Sequence, residues 1–469
     1  MTQADLAKLG REELAALVLE QAAAIERQTA LIAALQAKVE ELTRSGKRQA
    51  APFSKGARKK DPKKPGRKPG QGLFKRREAP APEQLSEPPI DVPVAEAGCP
   101  RCGGDFDEGR VEEASIVDLP EVVRPRVRLF RVRVRRCRAC GATVRGRHPD
   151  LAPDQRGATA HRLGPRLLAA AHWLHYGLGV PVRKLPAVFE TLVGVRLAQG
   201  ALTLDAMKTA AAAIGATYRG LCDAVRESPF VHADDTGWRE GGLPAWLMVF
   251  ETDQATVYQV RPRHRNEEVR ERIPADYEGV MITDRAGVYD AEAFAGVRKQ
   301  KCLAHVLRSI SGVVESKSGR ARWFGEELRR RLRRAIELWH ERRAGPPPAD
   351  FAERVRRLKW EITDHLRDRV LSDRDNQRLL DELGRCHDAG SLLRFLDDPR
   401  VEPTNNRAER ALRPAVIARK VSQCNKNTRG SRAFEAWTSV VRTLARTHAG
   451  PQLLDALVRI TRPAAPWTT

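Results

Sequence analysis

No stretch of apolar residues in this chain approaches the roughly 20 needed to cross a bilayer, and the N-terminus has no apolar core of a secretory leader. The expectation is a cytoplasmic protein with no membrane partner. Acidic residues are in deficit: 60 Asp and Glu face 83 Lys and Arg, leaving a formal charge of +23. Such an excess is the usual footprint of a nucleic-acid partner. Cysteine is sparse at 8 residues. Four of these are scattered and four stand in close pairs, which in a reducing compartment favours metal binding over disulfides. What the chain does have is length and apolar content, 469 residues at 41%. That excludes disorder throughout and is too much for a single core, so several domains are expected.

Leu14, Val18, Gln21, Ile25, Gln28, Ile32, Leu35, Val39 and Leu42 alternate spacings of four and three, the heptad seam of a coiled coil over residues 1–45. Val and Ile fill the a positions and Leu or Gln the d positions, a choice that favours a parallel two-stranded coil. The alternative is a single amphipathic helix packed on its own chain. Residues 46–90 read as a flexible basic arm, dense in Lys and Arg and punctuated by Pro and Gly. Within it, Arg67 and Lys68 of "PGRKPGQ" suit a minor groove, unless the arm is a plain counterion-releasing tether.

Residues 91–150 carry "CPRCGG" and "CRACGA". Cys99, Cys102, Cys137 and Cys140 supply the four thiolates of a closed tetrahedral Zn²⁺ site, a zinc ribbon. Between the pairs, "VVRPRVRLFRVRVRRC" alternates apolar residues with Arg and predicts a strand with a cationic outer face, either on DNA or simply solvated. Residues 151–225 read as helices: two short ones meeting across Gly194 resemble a helix-turn-helix, a helical DNA-binding region unless they are packing helices.

From Phe230 the pattern becomes strands: "PFVHADDTGW", "AWLMVFET" and "ATVYQVRP", a short helix "RNEEVRERI", the strand "GVMITD" and then "VRKQKCLAHVLRSI", a strand feeding a helix. This is the order of a ribonuclease H-like domain, its first part over 226–315. Apolar spacings at Phe324, Leu328, Leu332 and Ile336, then Val355, Leu358, Ile362 and Leu366, predict a helical insertion over 316–398 split by "AGPPPAD". The second part of the core occupies 399–469. The fold class expected is thus multidomain α+β.

"HADDTGWR", "ITDRAGVYD", "CLAHVLR" and "NNRAERALRP" resemble the DDE transposases of the insertion-sequence-66 family. The resemblance extends over most of the chain and implies a DNA transposase that frees a 3′-hydroxyl at the element's ends and joins it to target DNA. It implies Asp234, Asp284 and Glu409 as catalytic carboxylates holding two Mg²⁺ ions, with Cys302 and His305 in support. Arg407, Arg410 and Arg413 would join Arg67 and Lys68 on DNA. It also implies double-stranded DNA as partner, a homodimer or larger assembly, small accessory proteins of the same element, and a bacterial cytoplasm, on the nucleoid when bound. Two departures stand out: Asp235 follows Asp234 where the family has Glu, leaving two candidate carboxylates on one strand, and Arg285-Ala286 follow Asp284 where the family has Gly-Tyr. A decayed or domesticated relative that binds DNA without cutting it is the alternative.

Overall fold

The computed structural model describes residues 10–46 and 79–461, apart from 108, 121, 122, 153, 368 and 423. Most of the basic arm, Arg67 and Lys68 included, lies outside the described residues. Those described fall into a large unit drawn from residues 10–46, 128–191 and 195–461, and a small one from 79–127 and 192–194.

The small unit holds the first cysteine pair. Cys99 N–H donates to Gly104 O (2.8 Å) and Gly103 N–H to Cys99 O (2.7 Å), closing a tight turn in which Gly103 takes φ +74°. A side chain is strained there, which is why glycine follows the pair.

In the large unit, α1 (Arg11–Gly46) is one uninterrupted helix. Val18, Ile25, Ile32 and Leu35 on its expected seam are each at least 55% exposed, so the described residues leave them uncovered. The second cysteine pair sits between β1 (Val134–Arg136) and β2 (Thr143–Arg145), which pair antiparallel. Its turn repeats the first: Cys137 N–H to Ala142 O at 2.7 Å, Gly141 N–H to Cys137 O at 3.0 Å, and Gly141 at φ +70°. Of the long cationic strand expected across residues 122–136, the described residues form strand only at 134–136. A strand needs a partner for its N–H and C=O groups. Here β2 offers three residues, and Pro125 has no N–H to give.

Helices follow as expected. α2 (Pro165–His172) runs into a π turn over Trp173–Gly177, and α3 (Leu185–Val193), α4 (Gln199–Ala210) and α5 (Ala213–Arg226) succeed it. One face of α4 is committed to packing. Ala206 O accepts from Trp437 Nε1 (3.2 Å), and Asp205 holds His172 Nε2 at 2.7 Å.

The centre of the large unit is a five-stranded sheet in the order β5-β4-β3-β6-β7. β3 (Phe230–Glu240), β4 (Leu243–Glu251) and β5 (Thr256–Arg261) are antiparallel, while β6 (Val280–Thr283) and β7 (Arg298–Lys301) run parallel to β3. Gly241 and Gly242 close the first hairpin at φ +59° and +83°, the positive values that a two-residue turn of the favoured twist requires. The short helix α6 (Asn266–Arg270) leads from β5 towards β6.

Both faces of the sheet are covered, so its strands are apolar on both sides. Val231, Ala233, Met248 and Val257 pack with Cys222 and Val225 of α5 and with Tyr289 and Phe294. On the other face Trp238, Leu247, Val249 and Tyr258 meet Ala408, Ala411 and Leu412 of α11 (Asn406–Ser422). Phe230, Val280 and Ile282 join α7 (Leu303–Val314) and the insertion, which consists of α8 (Gly319–Ala344), α9 (Phe351–Leu366) and α10 (Arg374–Asp388). "AGPPPAD" separates α8 from α9, as the sequence predicts.

The edge strand β5 is closed by α12 (Thr428–Leu444) through side chains rather than another strand. Glu435 Oε1 accepts from Val260 N–H (2.7 Å), Ser439 Oγ from Tyr258 N–H (2.8 Å) and Thr443 Oγ1 from Thr256 N–H (3.0 Å). Side chains four apart on a helix step along one face at about the rise of two strand residues, so the helix satisfies every second N–H of the edge. α13 (Pro451–Thr461) then packs Leu453 and Leu457 beside Trp437.

Candidate functional site

Asp234 lies in the middle of β3, Asp284 is the residue after β6, and Glu409 is in the first turn of α11. Because β6 pairs parallel with the first part of β3, the end of one strand falls beside the middle of the other. α11 crosses the same face. The electrostatics register the result: the Asp234 carboxyl is pushed up to about 7, first by burial and further by the charges of Asp235, Asp284 and Glu409, against a backbone N–H bond from Asp235 that acts the other way. The fold thus brings Asp284 and Glu409 within electrostatic reach of Asp234.

The pleat separates Asp234 from Asp235. Residues 231 and 233 face α5, so Asp235 belongs to that side, and Asp234 faces α11 with residues 230 and 232. On its own side Asp235 Oδ2 accepts from Tyr289 OH (2.9 Å) and meets His264 Nε2 (2.9 Å), the imidazole being stacked on Trp246 at 4.2 Å. Asp235 is therefore spoken for by two neighbours. No sequence signal had pointed to His264 or Tyr289.

Asn405 fixes where α11 begins. Fully buried, it donates through Nδ2 to Ala233 O (2.8 Å), takes His232 Nδ1 at 3.2 Å on Oδ1, and sends its own N–H to Cys302 Sγ (3.1 Å). With Oδ1 able only to accept, His232 carries its proton on Nδ1. Burial pushes that imidazole down to about 3, so it stays neutral. One residue thus ties α11 to the strand that carries Asp234, through its side chain, and to the start of α7, through its backbone N–H. Asn405 thus orients the helix by bonding across to the strand.

Cys302 and His305, at the start of α7, come together with Glu409: one ligand atom from each lies within 4.8 Å of the others. His305 Nδ1 and Glu409 Oε1 are 3.7 Å apart, and both are buried without a hydrogen-bond partner.

The arginines divide. Arg407 is engaged within the protein, by Asp253 (2.7 Å), Thr252 O (2.8 Å) and the face of Phe230, and its side chain is 16% exposed. Arg410 and Arg413 are exposed on α11. Arg285 pairs with Glu382 of α10 at 2.8 Å and bonds Ser309 of α7, so it fastens the insertion to the end of β6. Lys301 is 2% exposed, holds Asp290 at 2.6 Å and donates to Asp284 O at 3.2 Å, fastening the end of β6 from behind. On α8, Arg330 and Arg331 share Glu327, and Arg334 pairs with Glu337.

In the two cysteine turns, backbone N–H groups of Arg101 and Cys102 lower the Cys99 thiol, and those of Cys140 and Ala139 lower Cys137. That bias towards thiolate is what metal ligation needs. No helix among the described residues is long and apolar enough to cross a membrane.

A family model described as "Transposase IS66 family" matches residues 161–433, more than half of the chain and the whole of the sheet with Asp234, Asp284 and Glu409. No curated protein matches.

Proposed function

Because this chain belongs to the IS66 family of transposases, we propose that it is an active DNA transposase whose catalytic residues are Asp234, Asp284 and Glu409. The observation that carries this reading is the setting of Asp234, a partly buried carboxyl pushed up to about 7, chiefly by burial, with three other acids around it. A cluster of like charges away from water is costly unless a cation joins it. The donor set fits Mg²⁺, which takes hard oxygen ligands and keeps several waters, so that a few carboxylates suffice for two ions. Bound there, Mg²⁺ would supply positive charge to the attacking and leaving oxygens of a phosphodiester as it opens.

The chain's own residues do the rest. Asn405 and the neutral His232 fix the helix that carries Glu409, and Lys301 steadies the backbone at Asp284. Arg410 and Arg413, exposed on the same helix, attract the DNA backbone, whereas Arg407 serves the fold. The basic arm adds sequence-independent affinity by releasing counterions from DNA, and the uncovered stripe of α1 joins two chains as a coiled coil, which would bring two element ends together. Strand cleavage tests the reading: a labelled duplex carrying an end of the element is nicked in Mg²⁺, leaving a 3′-hydroxyl. DNA binding with no cleavage in Mg²⁺ or Mn²⁺ would instead mark a relative that has kept only its DNA-binding role.

For the two alike cysteine turns, the cation proposed is a structural Zn²⁺. Metal analysis of the purified protein is expected to find about one Zn²⁺ per chain held by these thiolates, and chelation to destabilise their segment. Fully folded, zinc-free protein would contradict this.

A further inference from the structure

The two metal chemistries above leave Cys302 and His305 without a part to play, and their surroundings are those of a ligand set. Cys302 is fully buried, and its sulfur receives the Asn405 N–H at 3.1 Å and backbone N–H groups of His305 and Ala304. Burial holds the thiol above its ordinary value, and this cradle orients the sulfur and acts the other way. His305 Nδ1 and Glu409 Oε1 are buried and orphaned. At 3.7 Å they are too far apart to hydrogen-bond each other. Buried polar atoms that lack a partner ask for one.

Donors around a tetrahedral cation at ordinary Zn–S, Zn–N and Zn–O lengths stand roughly 3.3–3.6 Å apart. The three ligand atoms already lie within 4.8 Å of one another, and the nitrogen and oxygen at 3.7 Å. A small closing movement completes the set. One sulfur, one nitrogen and one oxygen are the donors of a borderline-soft divalent cation, and they suit Mg²⁺ poorly. Three protein ligands leave the fourth position to water.

We infer that Cys302, His305 and Glu409 form a site for a zinc-class divalent cation, separate in chemistry from the all-carboxylate Mg²⁺ site and touching it through Glu409. Binding releases the thiol proton and takes His305 neutral. The consequence, which rests on the catalytic reading of Glu409, is that a cation here draws that carboxylate away from Mg²⁺, so zinc restrains strand cleavage. The site itself rests only on the three side chains.

The test is a titration of metal-stripped full-length protein with Co²⁺, followed by thiolate-to-cobalt charge-transfer absorption and visible d–d bands. The wild type is expected to take up one more equivalent of Co²⁺ than His305→Gln, a change at a partly exposed side chain that leaves the fold intact by circular dichroism. Cys302→Ser should remove the charge-transfer component of that same event, and Glu409→Gln should weaken it by roughly 10–100-fold. Superimposable titrations of wild type and His305→Gln would overturn the site. Because cobalt uptake is read without DNA, loss of cleavage by Glu409→Gln with no change in uptake would sink the site and keep the catalytic reading. The reverse pattern would keep the site and sink the catalytic reading.

Discussion

Glu409→Gln is expected to lower Mg²⁺-dependent nicking of an element end by at least about 100-fold while leaving DNA affinity level or slightly raised. The amide keeps the size of the carboxyl and its place in the first turn of α11, so Asn405 still anchors the helix to Ala233 and His232. What disappears is the charge that holds a cation against the transition state, where electrostatic stabilisation usually contributes most to the rate. Affinity does not follow, because a carboxylate beside a phosphate repels it and the exposed Arg410 and Arg413 are untouched. Nicking of end-labelled duplex and a binding titration on the same preparation check both halves. Cleavage at the wild-type rate would make Glu409 a helix-surface acid, worth no more than an i,i+4 pair with Arg413.

Asp234→Asn is expected to stabilise the metal-free protein, and to do so in a pH-dependent way. The Asp234 carboxyl is raised to about 7, chiefly by burial. A carboxyl whose folded value lies above its unfolded one favours the fold while protonated in both states, and that contribution is lost as pH rises from about 4 to about 7. The asparagine carries no such penalty. Its advantage should be small at about pH 4 and full by pH 8, where three units set a ceiling of about 4 kcal/mol and partial exposure brings it to roughly 2 kcal/mol. That amounts to several degrees in melting temperature. Added Mg²⁺ should reverse the order by stabilising the wild type alone. A difference that is constant across pH, or equal stabilisation of both proteins by Mg²⁺, would contradict the picture of a strained carboxylate cluster relieved by a cation.

How much of this can be read from the chain varies with the kind of interaction. The strands around Asp234 and Asp284 are legible because their apolar runs end in polar turn residues, and the split insertion because Leu, Ile and Phe recur at helical spacing on either side of a run of prolines. The choice between Asp234 and Asp235 needs the partners: alternation puts the two on opposite faces, but only the fold reveals Tyr289 and His264 waiting on one of them. The partners of Arg407 and Arg285 are hidden from sequence for the same reason. A guanidinium looks the same in sequence whether it awaits phosphate or meets Asp253 and Glu382 from distant segments. The cationic strand is overread because alternation predicts a face and says nothing of a partner strand, and β2 supplies three residues. Cys302 and His305 look like supporting or packing groups in sequence because their third companion, Glu409, arrives from far along the chain.

The central claim is that Asp234, Asp284 and Glu409 share divalent cations. The measurement that meets it most directly is a crystal structure of the protein soaked in Mn²⁺, an anomalously scattering stand-in for Mg²⁺, phased on the metal itself. The account predicts two peaks in contact with these carboxylates, one of them touching both Asp234 and Asp284, with Asp235 still held by Tyr289 and His264. Mn²⁺ bound elsewhere, with no peak in contact with Asp234 or Asp284, would contradict it.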